Sequence, residues 1–248
     1  MIKFRPSTLA EREIFYREEF NLNKAKDWFR KNKIDYPQLF AVDMGSETGI
    51  IKDKKKKNQI INMWPEHLQD KLVNYLPEDV YYDRNSYKNA ELMLKTLDFK
   101  NAWKSKNLIG QELAFDIDPE NIKCKCKKRF PKFCEECMPK AVKSAIALAE
   151  LLKERFEKVG LVYSGRGMHV HVFDKEAFGL SIKEREELNK KAKKFYIDPW
   201  VSRGYIRLMR LPYSLNALVS RIVIPLTMKE AKKFNPLTAK TTLPRFLK

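Results

Sequence analysis

Two groups of residues in this chain have the types and spacing to do chemistry. The first is four cysteines, Cys124, Cys126, Cys134 and Cys137, in one short segment, Cys-x-Cys-x7-Cys-x2-Cys. A disulfide framework would spread its cysteines along the chain and needs an oxidising compartment. Four clustered thiolates suit a tetrahedral Zn2+ site with no open position, so the metal would be structural. An iron–sulfur cluster is the other reading of the same four thiols. The interleaved Lys123, Lys125, Lys127, Lys128, Arg129 and Lys132 favour the thiolate form.

The second group is acidic. In Leu113-Ala114-Phe115-Asp116-Ile117-Asp118 the apolar residues alternate, so a strand here buries Leu113, Phe115 and Ile117 and sets Asp116 and Asp118 side by side on the other face. Two ionised carboxylates one strand repeat apart repel unless a cation sits between them. Hard oxygen ligands at that spacing suit Mg2+ or Mn2+ shared with a substrate's phosphates. A third carboxylate would complete a two-metal site. Asp198, in Phe195-Tyr196-Ile197-Asp198-Pro199, is the best placed, with Asp43 and Asp174 competing.

A turn adds an anion site. Tyr163-Ser164-Gly165-Arg166-Gly167-Met168-His169 joins two strand-like runs, and its glycines let the backbone turn sharply and bring N–H groups to an anion. Ser164 offers a hydroxyl, Arg166 a planar fork and His169 a further donor. The spacing is neither a Walker A loop nor a dinucleotide fingerprint. Arg203, Arg207 and Arg210 flank a later strand, where strict alternation separates Arg207 from Arg210 unless the strand bends or ends. His171 shares a strand face with His169 and Phe173, and one of the two histidines can be a packing residue.

These groups need a frame. A capping box at Thr8 and Glu11 opens a helix through about Phe20, and a second helix follows at 23–33. The patterns predict strands at 39–42, 80–82, 161–163, 168–173 and 205–211. They predict helices at 65–76, 139–159 and 182–195, with Gly160 as a C-terminal stop for the middle one. Irregular alternation of strands and helices reads as a mixed α/β domain with a zinc module inserted.

Composition bounds the partners. The chain has 248 residues, with 50 Lys+Arg against 32 Asp+Glu, a net charge of +18. At 44% hydrophobic and 12% aromatic it is no disordered basic tail. No stretch approaches the roughly 20 apolar residues that cross a bilayer, and the N-terminus lacks a secretory h-region. The expectation is a cytoplasmic protein with a polyanionic partner. The lysine-rich run at 52–57 is a candidate exposed loop for it.

Taken in order along the chain, these segments resemble the catalytic small subunit of the archaeal and eukaryotic DNA primases. Phe115-Asp116-Ile117-Asp118 looks like that family's first motif, followed at once by its cysteine module. Ser164-Gly165-Arg166-Gly167-Met168-His169 resembles the second, and the stretch 198–214 the third. The resemblance implies a primase-type fold, a two-layered β-sheet core flanked by helices, as one catalytic domain over 1–248 with the zinc module at about 120–138. It implies primer synthesis, RNA or DNA, from nucleoside triphosphates on a single-stranded DNA template during replication. Asp116, Asp118 and Asp198 would hold two Mg2+ or Mn2+ ions, and Ser164, Arg166, His169, Arg207 and Arg210 would grip the triphosphate. Cys124, Cys126, Cys134 and Cys137 would hold one Zn2+. The implied partners are template, nascent primer and a primase large subunit, with no membrane; the location is cytoplasmic and nucleoid-associated, or nuclear in a eukaryote.

The chain also departs from the family pattern. The second motif is one residue shorter than in many archaeal members. Asn216 stands where many relatives carry histidine, and Ala217-Leu218 replaces Gly-Lys. The chain is shorter than typical members, so either a helical insertion is absent or this is the catalytic portion of a longer polypeptide. Two other readings are a primase-polymerase of a mobile element or repair pathway that prefers deoxynucleotides, and a non-catalytic zinc-containing nucleic-acid-binding module.

Overall fold

The computed structural model describes residues 4–45, 60–124, 134 and 136–248. The 52–57 run, Cys126 and most cations around the cysteines lie outside the described residues. In chain order the strands are β1 (Phe40–Asp43), β2 (Ile60–Met63), β3 (Asp79–Asp83), β4 (Asn85–Tyr87), β5 (Leu108–Gln111) and β6 (Leu113–Ile117). They continue with β7 (Val159–Tyr163), β8 (Met168–Val172), β9 (Leu208–Arg210), β10 (Leu215–Asn216), β11 (Arg221–Ile222) and β12 (Ile224–Leu226). The helices are α1 (Leu9–Ile14), α2 (Leu22–Lys31), α3 (Leu68–Tyr75), α4 (Ala90–Thr96), α5 (Cys137–Leu152), α6 (Lys175–Phe178), α7 (Ile182–Ala192), α8 (Pro199–Ser202) and α9 (Met228–Lys233). The fold is mixed α/β with antiparallel sheets.

The chain forms two compact units, where the sequence reading treats 1–248 as one domain. A central unit comprises Met1–Phe4, Gln111–Ile206 and Ile224–Thr242, and a unit flanking it in sequence comprises Arg5–Gly110, Arg207–Val223 and Leu243–Lys248. Each has its own four-stranded sheet.

The central sheet runs β12-β7-β8-β6. Its inner residues Phe115, Ile117, Val170 and Tyr163 are fully buried with the apolar stripe of α5, including Ala141, Ala145, Leu148 and Ala149. That stripe recurs at three- and four-residue spacing, so one face of α5 docks on the sheet. α5 begins two residues before the expected 139, because Pro139 falls in the first turn, where no N–H is needed. It ends at Leu152 rather than near 159, and Val159 starts β7. Gly160 is therefore a strand residue and no helix stop: a Cβ there would lie 2.6 Å from the Phe173 ring. A capping box of Ser181 and Glu184 starts α7, whose fully buried Arg185 binds the carbonyls of Leu180, Ala177 and Gln111.

The flanking sheet runs β2-β1-β3-β9. Trp28 and Phe29 of the amphipathic α2 meet the Tyr82 ring edge-on at 6.3 and 5.1 Å. The expected Thr8–Glu11 capping box is present, but the first helix passes into a π-turn, Phe15–Glu19, closed by the Phe20 N–H on the Phe15 carbonyl at 2.8 Å. The strand expected at 205–211 shrinks to β9, since the amides of Tyr205 and Ile206 bond the Trp200 carbonyl at 3.0 and 3.1 Å.

Candidate active site and metal centre

The acidic strand β6 lies at the edge of the central sheet, paired antiparallel to β8. The register sets Asp116 opposite His169, so the two side chains share one sheet face, with His169 Nε2 3.7 Å from Asp116 Oδ1. Leu113, Phe115 and Ile117 are completely buried on the other face, as their alternation requires. The strand ends at Ile117. Asp118 follows it and precedes a short 3-10 turn, Pro119–Asn121.

Asp198 reaches this strand through its backbone. Its N–H donates to the Asp116 carbonyl at 2.8 Å. Its own carboxylate caps α8, accepting from the Trp200 N–H at 2.9 Å, with Pro199 at the first helical position. The competing aspartates are engaged elsewhere. Asp174 accepts from the amides of Glu157 and Lys158. Asp43 belongs to β1, where burial raises its pKa from the ordinary aspartate value.

The Ser164–Gly167 turn is tight because its residues bond one another. The Ser164 N–H donates to the Gly167 carbonyl and the Gly167 N–H to Ser164 Oγ, both at 3.1 Å, and Gly165 adopts φ +95°. A Cβ on Gly167 would lie 2.5 Å from the Ile117 carbonyl oxygen and 2.8 Å from Asp118 Oδ1. Only glycine lets the turn rest on the end of the acidic strand. This close approach delivers Arg166, whose fork donates to Asp118 at 3.0 Å and to Glu120 at 2.7 Å.

Glu120 is a site residue that the sequence reading does not name. Its signal was present, since Asp116, Asp118 and Glu120 continue one alternation through Pro119. Burial raises the Glu120 pKa, opposed by Arg166 and reinforced by Asp118. Further along the same sheet face a second pair is buried: His171 Nδ1 lies 2.6 Å from Glu112 Oε1. His171 stacks on Phe173 at 5.8 Å, as the packing role predicts.

Arg207 and Arg210 belong to the flanking unit. Arg207 precedes β9, bonds Asp83 and Asn62, and lies over the Phe99 ring with its guanidinium carbon 3.5 Å from the centroid. Arg210, on β9, makes a two-pronged bond to Asp79 at 2.7 and 2.6 Å. Each is held by its own buried aspartate.

The cysteines converge where α5 begins. The Sγ atoms of Cys124, Cys134 and Cys137 all lie within 4.8 Å of one another, and Cys124 and Cys134 are 3.5 Å apart. Cys137 opens α5, its N–H donating to the Cys134 carbonyl at 3.0 Å, so the helix start folds two thiols together. Burial, with the neighbouring thiols adding to it, pushes the Cys137 pKa well up. A metal bound there would have to displace that proton. Three thiols at this separation fit a soft, tetrahedral metal such as zinc. Cys126, the expected fourth ligand, lies outside the described residues. Among the described residues the aspartates form no such cluster, because Asp118 turns to Arg166 and Asp198 caps its helix. Nor does any described helix have the length and apolarity to cross a membrane.

Comparison with known proteins closes the case for the family. A sequence model described as DNA primase small subunit matches residues 115–196, the stretch from the acidic strand to just before Asp198. An uncharacterized DNA primase small subunit-like protein of Archaeoglobus fulgidus is 43% identical, covering 98% of this chain and 91% of its own length. The DNA primase small subunit PriS of Thermococcus sibiricus is 29% identical over 75% of this chain and 49% of its own length. That of Pyrococcus abyssi is 30% identical over 74% and 48%. The chain thus matches about half the length of these two PriS relatives. The polymerase domain of Mycobacterium tuberculosis Ligase D, solved in complex with DNA, shares the fold at a TM-score of 0.53 and 11% identity, over 95% of this chain and 85% of that one. On the full-length match to the Archaeoglobus protein and the motif order along the strands, this chain belongs to the DNA primase small subunit family.

Proposed function

We propose that residues 1–248 form a catalytic domain that joins nucleotides on a single-stranded DNA template, making a short RNA or DNA primer during replication. One observation carries this reading: the β6–β8 register brings Asp116 beside His169, and the glycine turn brings Arg166 onto Asp118. Asp116, Asp118 and Asp198 are the residues that would hold two Mg2+ or Mn2+ ions. Such ions, when bound, lower the pKa of an attacking 3′-hydroxyl and neutralise the leaving pyrophosphate.

The chain's own groups have separate tasks. Arg166 bonds Asp118 and Glu120, and a triphosphate would offer the same fork richer acceptors. Ser164 keeps the turn closed on the strand end, and His169 stands ready to donate to a phosphate oxygen from beside Asp116. Arg207 and Arg210 are further proposed triphosphate ligands on the family resemblance alone. The cysteine module would carry one structural Zn2+. The proposed partners are template, primer, nucleoside triphosphates and a primase large subunit, in the cytoplasm or nucleus.

A second reading keeps the site and changes the sugar: a repair or mobile-element primase-polymerase preferring deoxynucleotides. A ligase's polymerase domain has the same fold, and fold alone does not choose the sugar. The test is incorporation of labelled ribo- and deoxynucleotides on a single-stranded template with Mg2+ or Mn2+. Faster ribonucleotide use supports the first reading and faster deoxynucleotide use the second. Asp116→Ala is expected to abolish incorporation and leave DNA affinity intact. Undiminished incorporation by that variant would overturn both readings.

A further inference from the structure

Trp200 and Tyr205 stand out among the described residues of the central unit. They are 58% and 50% exposed, and Ile206 and Tyr196 beside them in sequence are 42% and 39% exposed. Large aromatic side chains are seldom left this open without a partner. The two rings form a tilted pair, centroids 5.5 Å apart at 58°, which leaves ring face uncovered.

Their backbone is locked. The Tyr205 and Ile206 amides converge on the Trp200 carbonyl at 3.0 and 3.1 Å, and the Gly204 N–H donates to Val201 at 3.1 Å. Gly204 sits at φ +97°, and the Gln111 side chain donates to its carbonyl at 3.1 Å. A rigid aromatic loses little freedom on binding, so exposure here is not the mark of a loose loop. The loop is also tied to the acidic site. The Trp200 N–H bonds the Asp198 carboxylate, and the Asp198 N–H bonds the Asp116 carbonyl.

Charge narrows the occupant. The stretch 193–206 carries Lys193, Lys194 and Arg203 against one carboxylate, Asp198, in a chain whose net charge is +18. Rigid open aromatics among cations match a single nucleic-acid strand, which presents base faces to stack and phosphates to neutralise. In template-directed synthesis the primer bases are already paired and stacked. The bases with an open face are those of the unpaired template.

We propose that Trp200 and Tyr205 form a stacking platform for an unpaired template base beside Asp198. This rests on the nucleotidyl-transfer reading for its location, but it is tested by binding alone, without metal or triphosphate. The probe is a labelled oligo-dT, with an abasic strand of the same length and a blunt duplex as controls, read by fluorescence anisotropy. Trp200→Ala is expected to weaken oligo-dT binding about tenfold, Tyr205→Ala less, and Trp200→Phe only slightly. Neither alanine variant should change affinity for the abasic strand or the duplex. Equal loss on all three probes, or no loss on oligo-dT, overturns the platform. So does self-association of the wild type that Trp200→Ala abolishes, because a second copy would then be the occupant. Failure of the Asp116 test with this pattern intact would remove the catalytic reading and leave the platform standing.

Discussion

Both units place aspartates on or at the end of a strand of a four-stranded sheet, and they treat the charge in opposite ways. In the flanking unit Asp79 and Asp83 are 4% and 2% exposed, and each has its own arginine, Arg210 and Arg207. Phe99 and Tyr81 cover the two guanidiniums, and Tyr87 also donates to Asp83. Even so, burial keeps the Asp83 pKa above its ordinary value against the pull of Arg207. In the central unit the Asp116 and Asp118 side chains are 21% and 26% exposed. There a single arginine, Arg166, is shared between Asp118 and Glu120. Carboxylates paired one to one inside a sheet build structure. Carboxylates left partly open with a shared counter-charge are what the proposed divalent cations would require.

The sharpest test of that contrast is a substitution in each cluster. Asp116→Ala is expected to cost roughly three orders of magnitude in incorporation, since several kcal/mol of charge stabilisation would go with it. Its urea midpoint should hold or rise, because the substitution relieves repulsion among acids. Asp83→Ala should do the reverse, losing ~3–5 kcal/mol of stability by leaving a buried guanidinium without its carboxylate. If Asp83→Ala unfolds no more easily than Asp116→Ala, the two clusters are not different in kind.

Gly167→Ala probes the approach between turn and strand. Its new methyl would press on the Ile117 carbonyl, 2.5 Å away. We expect a loss of ~1–3 kcal/mol in stability and a larger proportional loss of incorporation, because the misplaced turn carries Arg166. Cys137→Ser should halve or abolish bound zinc measured by elemental analysis and lower the melting temperature, leaving any residual activity unchanged in its metal preference for Mg2+ or Mn2+. The smallest effect belongs to Glu120→Gln. With one competing carboxylate removed, the KM for the triphosphate should fall by about threefold, the scale of an ion pair worth under ~1 kcal/mol. A rise in KM instead would make Glu120 a site ligand and no competitor.

Much of the frame was legible because alternation and capping are local. The Leu113–Ile117 pattern, the Thr8 capping box and the apolar stripe of α5 each lie within one element, where period and burial coincide. The misreadings came where a distant group decides. Gly160 reads as a helix stop until the Phe173 ring occupies the space a Cβ would need. The run 205–211 reads as one strand until the Trp200 carbonyl takes the first two amides. For Arg207 and Arg210, whose triphosphate role rests on the family resemblance, nothing local marks Asp83 and Asp79 as the carboxylates that hold them.

By itself, then, the sequence determined the chemical inventory: the acidic alternation from Asp116, the clustered thiols, the glycine turn bearing Arg166, and an excess of positive charge. Residue type and short spacing carry that information, and the family follows from its order. Tertiary structure decided which members meet. Antiparallel register set Asp116 against His169, a missing Cβ let Arg166 reach Asp118, and a backbone bond joined Asp198 to Asp116. These are contacts between segments far apart in the chain, and they depend on strand pairing and packing that no local pattern encodes.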